Sequence, residues 1–270
     1  PWQNLNILID RIFPGQLHTT HRYLPRTHHP SQPFSHMSAA GQKRKADRKT
    51  KQKLKKEKRR LEKLERSRAC AIVQSANIMP GTENTPMNFL TAAGFNADSP
   101  FRNYTKNDLS VHLAFGSAAS LSEEELNTMY ELTKTNMLDQ YNRAAETDPT
   151  DWTWNEKKKR AEMGHEDARY LVARATPSGL VGETKAEAMG ELVGFAHVRF
   201  EMEGVVEVCY VYELQLAETA QKHGLGKRMM QLVELSSAKL KMKWVMLTVF
   251  KANVAAGNFY QKLKYELDET

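Results

Sequence analysis

The stretch that most constrains this chain is Gln221-Lys222-His223-Gly224-Leu225-Gly226, which lies between an apolar strand and a helix. The strand reads Val205-Val206-Glu207-Val208-Cys209-Tyr210-Val211-Tyr212-Glu213-Leu214-Gln215-Leu216, and the helix runs on from Gly226 through Leu235. Two glycines one residue apart let the backbone turn tightly, and the free N–H groups of the first helical turn point past the strand end. Those amides and the positive end of the helix dipole converge, so the corner suits an anion. Read from the residues alone, a tight connection without a ligand fits equally well.

The flanking pattern supplies a sheet for that strand. Leu109–Phe115 alternates with period two and predicts a strand; Arg169–Ala175 and Glu191–Glu201 predict two more, with a hairpin at Glu203-Gly204. Trp244–Phe250 predicts the strand after the corner helix, and Ala252–Leu263 a closing helix. Ser122-Glu123-Glu124-Glu125 is a capping box that opens a helix carrying Leu126, Met129, Tyr130 and Leu132. A second helical segment is expected through Met137, Leu138 and Tyr141, and a third over Asn155–Met163. Pro80–Pro100 reads as a linker with one short helix at Met87–Ala93. The order implies an α+β domain with a mixed, mostly antiparallel sheet flanked by helices.

Charge divides the chain more sharply than its total of +7 suggests. Residues 43–68 hold 15 Lys/Arg against four Asp/Glu, whereas residues 69–270 carry a net −6. The basic stretch has no glycine or proline and predicts a helical arm, with a thin stripe of Leu54, Leu61 and Leu64 to dock on the domain. It fits import-receptor or nucleic-acid contact, or a plain solvated helix; without interleaved aromatics, base-specific recognition has no support. Residues 1–37 carry Pro14, Pro25, Pro30 and Pro33 with five histidines and read as an unstructured lead outside the natural protein, because Met37 is the first methionine. The domains expected are therefore lead (1–37), arm (38–80) and body (81–270). Cys70 and Cys209 read as reduced thiols, and no metal ligand set or membrane span is expected.

Gln221, Gly224 and Gly226 fit the Gln/Arg-x-x-Gly-x-Gly/Ala signature, and with Val245–Val249 and Asn253…Asn258–Glu266 beyond it the chain resembles the GNAT superfamily of N-acetyltransferases. A narrower resemblance, over roughly residues 122 to 267, rests on Leu132-Thr133-Lys134-Thr135-Asn136-Met137, Tyr210–Leu216 and Met246-Leu247-Thr248-Val249-Phe250-Lys251. It points to the NatD family, N-alpha-acetyltransferases of histone tails that begin Ser-Gly-Arg-Gly. That resemblance implies acetyl-CoA as cosubstrate, held by Gln221, Lys222, His223, Gly224, Leu225, Gly226 and Lys227 and by the backbone of Leu214 and Leu216. It implies Asn253 and Tyr260 near the sulfur, although a helix cap and a core aromatic explain them at least as well.

By the same resemblance Glu213 is the general base, Tyr210 and Tyr212 hold the amine or relay its proton, and the Leu214 N–H serves the oxyanion. Taken on its own residues, Glu213 is either paired structurally or faces a cleft. Tyr141, Trp152, Trp154, Glu201, Tyr210, Tyr212 and Thr248 fall on peptide-site positions, with Glu201 meeting the tail's arginine. The spacing from Tyr141 to Trp152 is longer than the family's. Direct attack in a ternary complex, a monomer, and residence in nucleus and cytoplasm complete what the resemblance implies. The family ends with one or two further strands where this chain stops at Thr270, so a domain truncated at its C-terminal strand is expected.

Overall fold

The computed structural model describes residues 4–8, 37–79, 85–147, 153–176 and 190–267. Among the described residues eight strands form one sheet: β1 (Asn4–Leu8), β2 (Asn103–Lys106), β3 (Leu109–Ser117), β4 (Arg169–Ala175), β5 (Leu192–Glu203), β6 (Val206–Leu216), β7 (Trp244–Phe250) and β8 (Glu266–Leu267). Their order is β2-β3-β4-β5-β6-β7-β1-β8, antiparallel throughout except where β6 meets β7. The mixed α+β expectation holds.

The central strands are apolar on both faces because helices cover both. On one face Leu171, Ala173, Val198, Phe200, Cys209 and Val211 pack with Phe89 and Leu90 of α2 (Phe89–Ala92) and with Met229, Leu232 and Val233 of α5 (Leu225–Lys239). On the other, Tyr170, Val172 and Phe195 pack with Met129 and Tyr130 of α3 (Glu123–Thr147) and Met163 of α4 (Glu156–Met163). Each fully buried Leu, Phe or Met here is worth roughly 1.5–3 kcal/mol. A last helix, α6 (Val254–Lys262), adds Tyr260 to the first core.

The expected capping box is present. The Glu125 N–H donates to Ser122 Oγ at 3.2 Å, and the Ser122 N–H donates to Glu125 Oε2 at 2.8 Å. The helix it opens runs unbroken over 25 residues, so the two segments expected there are one helix. Nothing between Leu132 and Tyr141 is a breaker, and Asp148–Asp151, the expected break, lies outside the described residues.

Three other expectations change. Asn4–Leu8 belongs to the sheet: it pairs with β7 from Phe250 to Met246, and Ile7 and Leu8 also pair with β8. The short segment Leu5-Asn6-Ile7-Leu8 was hidden by the proline- and histidine-rich residues that follow it. Residues 1–10 and 69–270 form one compact unit and 11–68 another, so the end of α1 (Met37–Asn77) belongs with the body. It is Ala69 and Ala76 that are buried, with Ile72 packed beside the core, and Asn77 binds the Phe200 carbonyl at 2.8 Å. Leu54, Leu61 and Leu64 stay exposed. In the other unit every side chain from Arg48 to Arg68 is exposed.

Candidate active site

Strands β6 and β7 form a fork. They pair in parallel only from Val208 with Trp244 to Val211 with Leu247; beyond that β6 continues to Leu216 and β7 to Phe250 without pairing with each other. The glycine corner follows the end of β6. Gln221 Nε2 donates to the Leu216 carbonyl at 3.0 Å, and Tyr104 Oη donates to the His223 carbonyl at 2.5 Å, which fixes the loop from two sides. Lys222 and Gly224 both adopt positive φ, 62° and 84°. At Gly224 a Cβ would also meet the Tyr104 hydroxyl at 2.8 Å, so the position demands glycine twice over. Gly224 brings no side chain to cap the helix, whose first amides have no partner within it.

A β-bulge decides what the rest of β6 presents. His197 stands opposite Glu213 and Val198 opposite Val211, which leaves Tyr212 as the extra residue. Since side chains alternate along a strand, one extra residue inverts all that follow. Cys209 and Val211 before the bulge, and Leu214 and Leu216 after it, all pack with the α5-side core. Tyr210, Tyr212, Glu213 and Gln215 therefore share the opposite face. Tyr210 and Tyr212 rings lie 5.0 Å apart, and Gln215 Nε2 donates to Glu213 Oε2 at 2.7 Å. Without the bulge Glu213 would point into the core beside Val211.

On that face Glu213 is buried and ion-paired: Lys159 Nζ of α4 lies 2.8 Å from its Oε1 and 2.7 Å from Glu162 Oε1. Of the two readings left open for Glu213, structural pairing is therefore present. Burial lowers the Lys159 ammonium's pKa, but Glu213, Tyr141 and Glu162 together outweigh that, and the net direction is upward. Tyr212 stacks on His197 at 5.0 Å with Arg199 4.4 Å over its ring, and its hydroxyl donates to both Glu201 oxygens at 3.2 Å. Burial, then the Glu201 charge, pushes the Tyr212 phenol up to about 12. Burial likewise raises Tyr210, whose hydroxyl bonds Thr248 Oγ1 of β7, and raises the Glu201 carboxyl against the Tyr212 hydrogen bond. Tyr141 sits edge-on between Trp154 at 5.1 Å and Phe250 at 4.9 Å.

A family model described as the acetyltransferase (GNAT) family matches residues 128–265, just over half of the 270 residues. The chain belongs to the acetyltransferase (GNAT) family. Solved structures of similar shape include a tetramutant of a Bacillus halodurans protein (14% identity, 58% of this chain and 95% of that one, TM-score 0.41). Others are a putative acetyl transferase from Pyrococcus furiosus (14%, 59% and 96%, 0.39) and a fungal multi-domain β-N-acetylglucosaminidase with a GCN5-related glucosamine N-acetyltransferase region (11%, 60% and 18%, 0.43). Likenesses at these TM-scores add nothing to the family match.

GNAT enzymes use acetyl-CoA, and the corner fits its diphosphate: the amides of Gly224 to Lys227 open a helix, with Lys106 close by and Lys222 and Lys227 exposed. The structure brings Tyr141, Glu201, Tyr210, Tyr212, Glu213 and Thr248 onto or beside one face at the fork. Asn253 caps α6, accepting from the Ala256 N–H at 3.1 Å, and Tyr260 is buried in the core, only 7% exposed, where burial and then the Glu213 charge raise its phenol. Trp152 lies outside the described residues.

Four neighbours of the site went unread in sequence: Lys159, Gln215, Asn136 and His197. Lys159 sits in the run Lys157-Lys158-Lys159-Arg160, which looks like a solvated face; its i,i+4 spacing to the buried Met163 was the available signal. Gln215 alternates with Glu213, and Asn136 Nδ2 holds Gln215 Oε1 at 2.9 Å.

Proposed function

We propose that this GNAT acetyltransferase acts on protein N-termini, transferring acetyl from acetyl-CoA to the alpha-amine of histone tails that begin Ser-Gly-Arg-Gly. The observation that carries the reading is the bulge at Tyr212, which puts Glu213 on the face of Tyr210 and Tyr212, where Tyr212 meets Glu201, on the strand that leads into the glycine corner. Acetyl-CoA supplies the activated acyl group. The amides from Gly224 to Lys227 hold its diphosphate, with Gln221, Lys222 and His223 shaping the loop, and the backbone of Leu214 and Leu216 runs along its arm. The Leu214 N–H donates to the acyl oxygen, where one such donor is typically worth roughly 3 kcal/mol.

Glu213 accepts the amine proton. A phenol at about 12 is ionised to only about one part in 10⁵ at neutral pH, so Tyr212 orients the amine or relays its proton, and Tyr210, raised as well, is read in the same role. An alpha-amine with a pKa near 7.7–8.0 is easier to deprotonate than a lysine amine near 10.4, by about 3 kcal/mol. A carboxylate already engaged by a lysine suits the easier substrate. Glu201 takes the tail's arginine, and the body's net −6 attracts a basic tail. The exposed arm offers its charge to nucleic acid or an import receptor, consistent with a nuclear and cytoplasmic enzyme.

The test is mass spectrometry of a Ser-Gly-Arg-Gly peptide containing a lysine, incubated with enzyme and acetyl-CoA. An acetyl on the alpha-amine supports the reading. Modification of the lysine alone, or of neither amine, refutes it. A body that had lost its cofactor and served only to carry the basic arm would show no rise in melting temperature with acetyl-CoA.

A further inference from the structure

We propose that Lys159 is a positioning residue for Glu213, which holds its carboxylate charged and aimed at the fork. This rests on the reading above in assigning Glu213 the proton. The side chains of Lys159 and Glu213 are 9% and 6% exposed, and their 2.8 Å contact links α4 to β6. Gln215 fixes the second carboxylate oxygen at 2.7 Å and is itself fixed by Asn136 of α3. Each oxygen thus has one set partner, one cationic and one neutral, and the carboxylate has a single orientation.

Stability does not call for this pair. A buried ion pair usually gains little over apolar residues of the same shape, because desolvating both charges offsets their attraction. Nor does α4 need Lys159 as a staple. Tyr170 Oη bonds the Met163 carbonyl, an Arg199 guanidinium N–H bonds the Glu162 carbonyl, and Arg160 covers the Tyr130 ring at 3.7 Å. What a carboxylate so buried does need is a cation, since a buried charge left unpaired is costly. The other titratable groups around it are Glu162 on α4, Tyr141 on α3, Tyr170 on β4, His197 opposite it on β5 and Tyr260 on α6. Arg199 of β5 is the other cation on this face, and it is engaged by the Tyr212 ring at 4.4 Å and by the Glu162 carbonyl.

The experiment compares pH profiles of kcat/KM for wild type, Lys159→Met and Lys159→Arg. In Lys159→Met the acid limb moves up by a pH unit or more, activity at pH 7 falls about tenfold or more, and part returns at high pH; acetyl-CoA affinity is unchanged. Lys159→Arg restores the wild-type limb. A loss equal at every pH, as a mere staple would give, overturns the proposal.

Melting curves at pH 7 give a second measurement that needs no substrate. Lys159→Met is expected to melt lower than the double variant Lys159→Met/Glu213→Gln, because the second change removes the stranded charge. Equal melting of the two overturns the proposal. A wild-type enzyme that melts and binds acetyl-CoA normally yet leaves the peptide's alpha-amine untouched counts against the function, and the melting comparison then still decides the pair.

Discussion

The glycine corner and the face below the fork are the two halves of the proposed site, and they are built on opposite principles. The corner is a backbone site: its donors are main-chain amides, and its requirement is a path that Gly224, at φ 84° and under the Tyr104 hydroxyl, alone satisfies. The face is a side-chain site, set by an extra residue in β6 and held by a buried ion pair. A local sequence pattern is enough to encode the first. The second depends on which residues lie opposite β6, and only the fold determines that.

If the halves are separable, substitutions should split binding from chemistry. The largest effect is expected from Gly224→Glu, which sets a side chain in a left-handed position, pushes it into Tyr104 and opposes the diphosphate with a like charge. Cofactor binding by calorimetry and turnover should both be lost; retained binding would break the comparison. Glu213→Gln is expected to cut kcat by roughly 10²–10⁴, the usual range for a general base, with acetyl-CoA affinity unchanged. Full activity would remove Glu213 from the mechanism.

Glu201→Lys should raise the KM for Ser-Gly-Arg-Gly peptides by roughly ten- to a hundredfold, the worth of a charged hydrogen bond of about 1.5–3 kcal/mol, and leave the corner untouched. An unchanged KM would detach Glu201 from the tail.

The smallest effect concerns His197, stacked between Tyr170 and Tyr212 with neither ring nitrogen hydrogen-bonded among the described residues. Burial, and then Arg199 and Lys159, hold its pKa well below the ordinary 6.5. Below about pH 6.5 the unfolded chain gains a proton here that the folded chain refuses, so stability falls as pH drops, by at most about 1.4 kcal/mol per unit. His197→Phe should remove that slope. Denaturant melts at pH 7 and pH 5 check it: the variant should gain on wild type at pH 5, and equal slopes would show that His197 takes up its proton in the folded state.

Much of this was legible in the residues. Period-two alternation marked β3 and apolar runs marked β4 to β7, the Ser122 box marked the start of α3, and the corner announced itself by its glycines. Glu213, Tyr210 and Tyr212 were singled out together, yet strict alternation would have sent the glutamate to the other side of the sheet. The bulge leaves no mark in Tyr210-Val211-Tyr212-Glu213, because it is a property of the pairing with β5. Lys159 was lost for a related reason: four consecutive basic residues look solvated until the sheet beneath one of them is known. The strand at Asn4–Leu8 was masked by the composition of its neighbours.

A crystal structure of the chain with coenzyme A tests most directly whether amides and side chains share the work as described. The account predicts the diphosphate on the N–H groups of Gly224 to Lys227 and the Glu213 carboxylate beside Lys159 on the tyrosine face. A nucleotide bound away from the corner, or Glu213 turned toward Met229 and Val233, would contradict it.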